Sequence, residues 1–130
     1  MSIEEIYVAI GGAIDTIQSF QELGLVAPYQ DAYEPYSVIV EGGDLMVYGH
    51  GIAKTVWRWG FITQSARNLL KTYCPGKSAI VYVRIKDDDW EWVYCKAIMV
   101  WPKENPPITG IIVDFTPELR ILQNYGESLP

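Results

Sequence analysis

The chain has 130 residues, of which 49% are apolar and 20% charged, and its formal net charge is −6. This length predicts one domain, and this apolar content excludes a disordered chain. The acidic balance argues against a protein that holds a phosphate backbone, because such proteins cluster Lys and Arg, and no apolar run reaches the ~18 residues of a membrane span. Glu4 and Glu5 stand where a signal peptide carries positive charge, so we expect a protein that is made and kept in a cytoplasm.

The first 35 residues have the least regular pattern. The stretch IEEIYVAIGG favours a strand that ends at Gly11 and Gly12. The alternative is a helix lined by isoleucines and interrupted by this glycine pair, at about 1 kcal/mol per glycine. Pro28 and Pro35 exclude a helix from the segment between them, which should be extended. We expect residues 1–35 to form a strand and an arm that crosses an adjacent subunit, and the aromatic and apolar anchors of this region would be Ile6, Tyr29, Tyr33 and Tyr36.

A hairpin and a Trp-rich strand come next. Residues 36–49 read YSVIVEGGDLMVYG, which is two strand-like runs on either side of a Gly-Gly-Asp turn. The following strand, residues 53–61, places Trp57, Trp59 and Phe61 on one face. We expect this face to belong to the core.

One helix is predicted over residues 63–73. Its apolar residues recur at intervals of three and four, Thr63 is a suitable N-cap, and Pro75 and Gly76 end it. The apolar stripe should cover the face that holds Trp57 and Trp59. The polar face should meet water or a partner, and it holds Gln64, Arg67, Asn68 and Lys71.

A longer hairpin follows, in which residues 79–85 pair with residues 90–101. Both faces of the return strand are largely apolar, which is typical of a strand covered on both sides. The chain holds five Trp, nine Tyr and three Phe, more rings than one helix can cover, so some should lie at interfaces. The candidates on this hairpin are Trp90, Trp92 and Trp101. Residues 108–115 form a last strand, which Pro117 ends.

These elements predict a mainly β fold, a sandwich or barrel of antiparallel strands with one flanking helix at about residues 63–73. Residues 1–35 would be the strand and arm, residues 36–118 the core, and residues 119–130 a C-terminal tail.

No motif nominates a catalytic residue, a cofactor or a metal site. The stretch CPGKS lacks the Gly that a phosphate-binding loop carries five residues before its Gly-Lys pair, and it follows a helix instead of a strand. His50 is the one histidine, placed between two glycines, where a turn histidine is the ordinary interpretation. Cys74 and Cys95 have neither CxxC nor Cys/His spacing, which argues against zinc, and intracellular thiols stay reduced.

Residues 35–117 resemble a group of small tail proteins from bacteriophages with non-contractile tails. The similarity lies in recurring elements: the hairpin PYSVIVEGGDLMVYGHG, the strand WRWGF that leads into a helix near Thr-Gln, a strand of the VYVR type and a closing VDFT. The resemblance implies a β-sandwich or barrel related to tail-tube and distal-tail folds, which stack as rings. It brings no catalytic residue.

The function implied is that of a structural virion protein, not an enzyme: a ring-forming subunit of the tail tube, tail tip or adaptor. Its partners would be copies of itself, with a hexamer expected, other tail proteins, and DNA that passes without specific binding. It would be assembled in the cytoplasm of a bacterial host and reside in the virion, with no membrane contact. The alternative is a small intracellular module that binds a peptide or apolar ligand through its Trp-rich faces.

The acidic tip of the long hairpin is a further candidate site. The stretch DDDWE lacks the oxygen-ligand spacing of a calcium loop, and acidic turn residues are ordinarily solvated. We expect this tip to project from the sheet. If it lines the lumen of a ring, its carboxylates would repel passing DNA and let it slide; these residues are Asp87, Asp88 and Asp89.

Overall fold

The computed structural model describes residues 7–13, 15–34, 38–41, 47–50 and 52–127. The prediction of a mainly β fold is confirmed, since strands hold 50% of the residues and helices 13%. The elements are β1 (Ala9–Gly11), β2 (Gln18–Ser19), α1 (Phe20–Leu23), β3 (Tyr29–Gln30), β4 (Val38–Glu41), β5 (Val47–His50), β6 (Lys54–Thr63), α2 (Gln64–Lys71), β7 (Ser78–Lys86), β8 (Trp92–Val100), β9 (Ile111–Phe115) and β10 (Glu118–Gly126).

The main sheet is an antiparallel half-barrel with strand order β2-β1-β7-β8-β10-β6-β3. Strands β9 and β10 pair with β6 in one unbroken register, because Phe115 lies opposite Trp59 and Glu118 opposite Val56. Pro117 lies between β9 and β10, and its carbonyl accepts a hydrogen bond from the Trp57 N–H at 3.0 Å. The predicted hairpin of residues 36–49 is present as a separate two-stranded sheet, β4-β5.

The core lies on one face of this curled sheet. Alternate residues of β7 and β8 supply most of it, as the period of two in a strand requires. Trp57 and Trp59 are buried as expected, and the ring of Phe20 meets both edge-on, at centroid distances of 5.4 and 6.0 Å. Phe20 belongs to α1, a second helix that the sequence analysis did not predict.

Helix α2 begins and packs as predicted. The Thr63 hydroxyl accepts a hydrogen bond from the Ala66 N–H at 3.2 Å, which satisfies one free donor of the first turn. Leu70 is fully buried in the same cluster as Trp57 and Trp59. The expectation for the polar face needs correction at Arg67, whose Nε and Nη2 donate to both carboxylate oxygens of Glu104 at 2.5 and 3.0 Å.

The N-terminal region packs against its own domain, which corrects the prediction of an arm on a neighbour. β1 pairs with both β2 and β7, and Val8 and Ile10 are buried in the core. Phe20 is buried too, so residues 8–13 and 15–20 are part of the fold. Ile6 and Tyr36, two of the expected anchors, lie outside the described residues.

The C-terminal region is also part of the sheet, not a tail. β10 lies between β8 and β6, and Leu119 and Ile121 are buried. Pro117 does not end the sheet, because it uses only its carbonyl in the ladder and a proline lacks only the N–H.

The prediction that Phe61 shares the buried face of Trp57 and Trp59 is wrong, because 68% of this residue is exposed. The alternation of β6 changes phase after Trp59: the next buried residue is Ile62, not Phe61. Opposite this point Asp114 has a φ of +53°, in the left-handed region. The register itself is kept, since Phe61 still lies opposite Val113, so the change of phase turns both of these side chains outward.

A glutamine closes the curl of the sheet. Gln30, on β3, accepts from the Lys86 N–H at 3.0 Å and donates to the Lys86 carbonyl at 2.7 Å. β3 and β7 are separated by three strands in the sheet order, so this amide joins two distant strands as a backbone pair would. The Thr55 hydroxyl lies 3.4 Å from the same amide nitrogen and donates to the Asp31 carbonyl.

Gln30→Ala should lower the free energy of unfolding by about 1–3 kcal/mol, because it leaves both backbone groups of Lys86 without a partner in a half-buried position. Gln30→Glu should lower it as well, since a carboxylate accepts from the N–H but cannot donate to the carbonyl. Urea denaturation followed by Trp fluorescence measures both. Gln18→Ala, an exposed glutamine on β2, is the control; an equal loss in that variant would contradict the closing role of Gln30.

Candidate interaction surfaces

An apolar groove of about 670 Å³ opens beside the C-terminal half of β6. One wall is residues 23–27 with Tyr29, and the other is residues 59–63 with the first turns of α2. The indole N–H of Trp59 donates to the Val26 carbonyl at 2.9 Å and ties the two walls together. Among the described residues, Arg58 is the one charged side chain that lines the groove, and it is paired with Asp31 at 2.7 Å.

The groove exists because β3 is short. β3 pairs with β6 only at Trp57 and Arg58, and among the described residues no other strand covers β6 beyond Arg58 on this side. The segment before β3 stays away from β6 as an extended stretch after Gly24, whose φ of +72° ends α1. An open strand edge lined by apolar side chains is a site for an extended segment of another chain.

A second apolar surface lies on β9 and adjoins the groove. Phe61 lies opposite Val113, and Ile108 is bridged to Ile111. All four side chains are exposed, Phe61 and Ile108 by about two-thirds. We call Phe61, Ile108, Ile111 and Val113 the β9 surface. Tyr29, which is 72% exposed, lines the groove on its other side.

The face of β7 and β8 that points away from the core alternates cations with aromatic rings. Three successive cross-strand pairs each place a cation opposite an aromatic residue: Lys86 with Trp92, Arg84 with Tyr94, and Lys96 with Tyr82. We call these six residues the outer face. The Arg84 guanidinium lies 5.0 Å from the ring centroids of both Tyr7 and Tyr94, and Lys86 Nζ lies 5.1 Å from that of Trp92.

The predicted acidic tip is a turn at the end of this hairpin. Asp87 has a structural part in it, because its Oδ1 accepts from the N–H groups of Asp89 and Glu91 at 2.9 and 3.1 Å. Asp88 and Asp89 are exposed, and the three carboxylates lie within 4.8 Å of one another. Trp90 stands beside them with a φ of +64° and is 71% exposed.

The other predicted interface residues have mixed placements. Tyr29 is exposed and lines the groove. Tyr33 is half-buried against the core, and this burial is the main cause of its raised pKa. Trp92 is half-buried and stacks on Tyr7, with ring centroids 5.3 Å apart. Trp101 is buried, which corrects its assignment to an interface.

Trp101 is covered by the side of α2 that was expected to face water. Lys71 Nζ lies 4.3 Å from the centroid of its indole ring system and the Arg67 guanidinium 5.5 Å, while Phe115 packs on it at 5.1 Å. The Arg67 hydrogen bonds hold the Glu104 pKa below its ordinary value. A cation over an indole is a stabilising arrangement, so the two basic residues of α2 are part of the packing.

The two cysteine thiols are enclosed. Cys74 and Cys95 are free thiols, both buried, and burial raises the pKa of Cys95 to about 12. Such a thiol is protonated at neutral pH and is a poor nucleophile. His50 lies in β5, opposite Val38, and not in a turn.

Sequence analysis missed the groove, the β9 surface and the outer face. The outer face had a signal: once residues 79–85 are paired with the return strand, Arg84 and Lys86 fall beside Tyr94 and Trp92. No sequence pattern indicates the groove, because the groove depends on where the pairing of β3 with β6 ends.

Comparisons with protein-family models, curated proteins and solved structures found no match for this chain. None of the helices in the described part of the chain has the length and apolar character that crossing a membrane requires. The functional proposal therefore rests on the surfaces above and on the sequence pattern.

Arg67→Ala should lower the free energy of unfolding by about 1 kcal/mol at pH 7, since it removes a bidentate ion pair that is only about a quarter exposed. The folded-state pKa of Glu104 is lowered, so the pair stabilises the fold above the ordinary Glu value of 4.5, and this stabilisation is lost as the pH falls through the lowered pKa. The difference between wild type and variant should therefore shrink in acid.

Urea denaturation between pH 7 and pH 3 measures this difference. Glu104→Gln should behave like Arg67→Ala at pH 7, and Gln64→Ala, an exposed change on the same helix, is the control. A loss that does not vary with pH would show that Arg67 acts only by packing on Trp101.

Proposed function

We propose that this chain is a structural subunit of a bacteriophage tail, which joins copies of itself into a ring through which DNA passes. The observation that carries the proposal is the continuous apolar surface formed by the groove and the β9 surface. Phe61, Val113 and Tyr29 stand on its adjoining parts, all of them exposed. Monomeric proteins seldom expose neighbouring large apolar side chains without a partner for them.

The open edge of β6 supports the same proposal. A half-barrel, unlike a closed barrel, leaves strand edges, and unpaired edges are templates for pairing with another chain. The chain does not protect this edge with lysine or proline: residues 60–63 are Gly, Phe, Ile and Thr. An unpaired strand edge of this kind is expected in a subunit that receives a strand or loop from its neighbour.

The sequence pattern and the charge supply the more specific part of the proposal. The order of hairpin, Trp-rich strand, helix and long hairpin over residues 35–117 is the one that resembles small tail proteins, and α2 follows β6 directly as that pattern requires. A net charge of −6 suits a ring around DNA, because it gives the nucleic acid no surface to adhere to. A head-to-tail contact repeated around an axis closes such a ring.

The purified chain should form particles larger than one 14.7 kDa subunit as its concentration rises, seen by light scattering and as rings by negative-stain microscopy. Phe61→Lys with Val113→Lys should reduce this association at least tenfold, because it places two charges on the β9 surface. Ile52→Lys is the matched control, an exposed apolar residue outside that surface and outside the groove. A wild-type chain that stays monomeric at millimolar concentration would refute the proposal.

A second function is favoured by the volume of the groove alone. A cavity of about 670 Å³ with mostly apolar walls is of the size that binds small ligands or peptide segments. If the chain is such a binding module, a monomer should bind an apolar fluorescent dye with one-to-one stoichiometry. Leu69→Asp should abolish the dye signal, whereas Leu122→Asp, which is exposed on β10, should not. Dye binding that persists in Leu69→Asp would exclude the groove.

A further inference from the structure

The outer face carries cations that the rest of the described chain leaves without acidic partners. The ion pairs among the described residues involve Lys54, Arg58, Arg67 and Arg120, and none involves Arg84, Lys86 or Lys96. The Nε of Arg84 is buried and has no hydrogen-bond partner within the same residues. Other cations among the described residues also lack an ion pair, but Arg84, Lys86 and Lys96 stand together on one face of one hairpin.

The tip of the same hairpin has the opposite chemistry. Asp88 and Asp89 are exposed carboxylates, and Trp90 adds an exposed ring beside them. The outer face offers rings and cations, and the tip offers a ring and anions. Each surface therefore presents what the other needs for charge pairing and for aromatic contact.

The tip cannot fold back over the outer face of its own chain. The two strands pair without a break from Ser78 opposite Val100 to Lys86 opposite Trp92, so the turn points away from the face behind it. Folding the turn back would break those pairs. A contact between tip and outer face must join two copies of the chain.

We propose that the acidic tip of one copy, Asp88, Asp89 and Trp90, docks on the outer face of the next copy, between Lys86 and Lys96. This inference rests on the proposed function and names the contact by which the subunits join. The contact uses two different surfaces, so it is heterologous and repeats head to tail until a ring closes. In this arrangement the tip carboxylates face a neighbouring subunit and not the lumen.

A single-stranded nucleic acid is the other chemistry that rings and cations can bind. The charge of the chain favours the protein partner. The outer face offers three cations, and the whole chain carries −6, both of which oppose a phosphate backbone. The same charges favour a partner that brings two carboxylates and a ring.

Charge reversal on each surface tests the contact. The tip variant is Asp88→Lys with Asp89→Lys, and the face variant is Lys86→Glu with Lys96→Glu; Arg84 is left unchanged because it packs between two rings. Each should raise the concentration of half-assembly at least tenfold, as measured by sedimentation velocity, and the wild-type value should rise with salt. Asp15→Lys and Lys103→Glu, exposed residues away from both surfaces, should leave it unchanged.

The combination of all four changes is the decisive measurement, because it restores opposite charges with exchanged signs. Assembly should recover to within about threefold of wild type. Thermal melts followed by circular dichroism confirm that each variant folds.

Three results would overturn the proposal. If the wild type assembles and the tip and face variants assemble equally well, the contact is wrong while the structural function stands. If the wild type never assembles, the contact and the structural function both fail. If the face variant loses binding of a labelled oligothymidine, measured by anisotropy, while its assembly is unchanged, the outer face binds nucleic acid instead.

Discussion

The nine-residue register between β7 and β8 is the constraint on which the rest of the structure depends. Because side chains alternate between faces, this one register sends Val83, Cys95 and their neighbours into the core and aligns the cations with the rings on the other side. A slip of β7 by one residue would turn Arg84 toward the core and Val83 out of it, and a slip of β8 would do the same to Lys96 and Cys95. The hairpin also fixes where its acidic turn projects, so the core, the outer face and the tip all follow from the same set of backbone pairs.

Elements with a strong local signal could be predicted from the sequence. Helix α2 was found because Thr63, the apolar stripe and the Pro-Gly stop agree, and the long hairpin because both of its strands are continuous. β10 is not predicted although Leu119 and Ile121 alternate with polar residues, since a proline at position 117 predicts the end of the sheet. A proline keeps its carbonyl, and that group was enough to continue the ladder to Trp57. The short helix α1 had a signal as well: Ser19 and Glu22 have the spacing of a capping box, and the Ser19 hydroxyl accepts from the Glu22 N–H.

What could not be predicted depends on contacts between distant parts of the chain. No local pattern shows that Phe20 packs on Trp57, or that Gln30 joins the backbone of Lys86 across 56 positions. Those two contacts attach the N-terminal region to its own domain, although the segment after Pro28 is extended as predicted. The outward turn of Phe61 is of the same kind, because it follows from the backbone of Asp114 on the neighbouring strand.

A ring needs each subunit to present two different surfaces, because a single self-complementary surface closes a dimer and stops. In the proposed ring, the acidic tip and the outer face would be these two surfaces. The groove and the β9 surface lie at β6, apart from the outer face on β7 and β8, with β10 between them in the strand order. The apolar surface would contribute buried area and the charged pair would fix orientation, since a misplaced tip would meet like charge or bare strand. Apolar burial at one surface and charge pairing at the other respond differently to salt, so assembly that weakens with salt but does not vanish is the behaviour this division of roles requires.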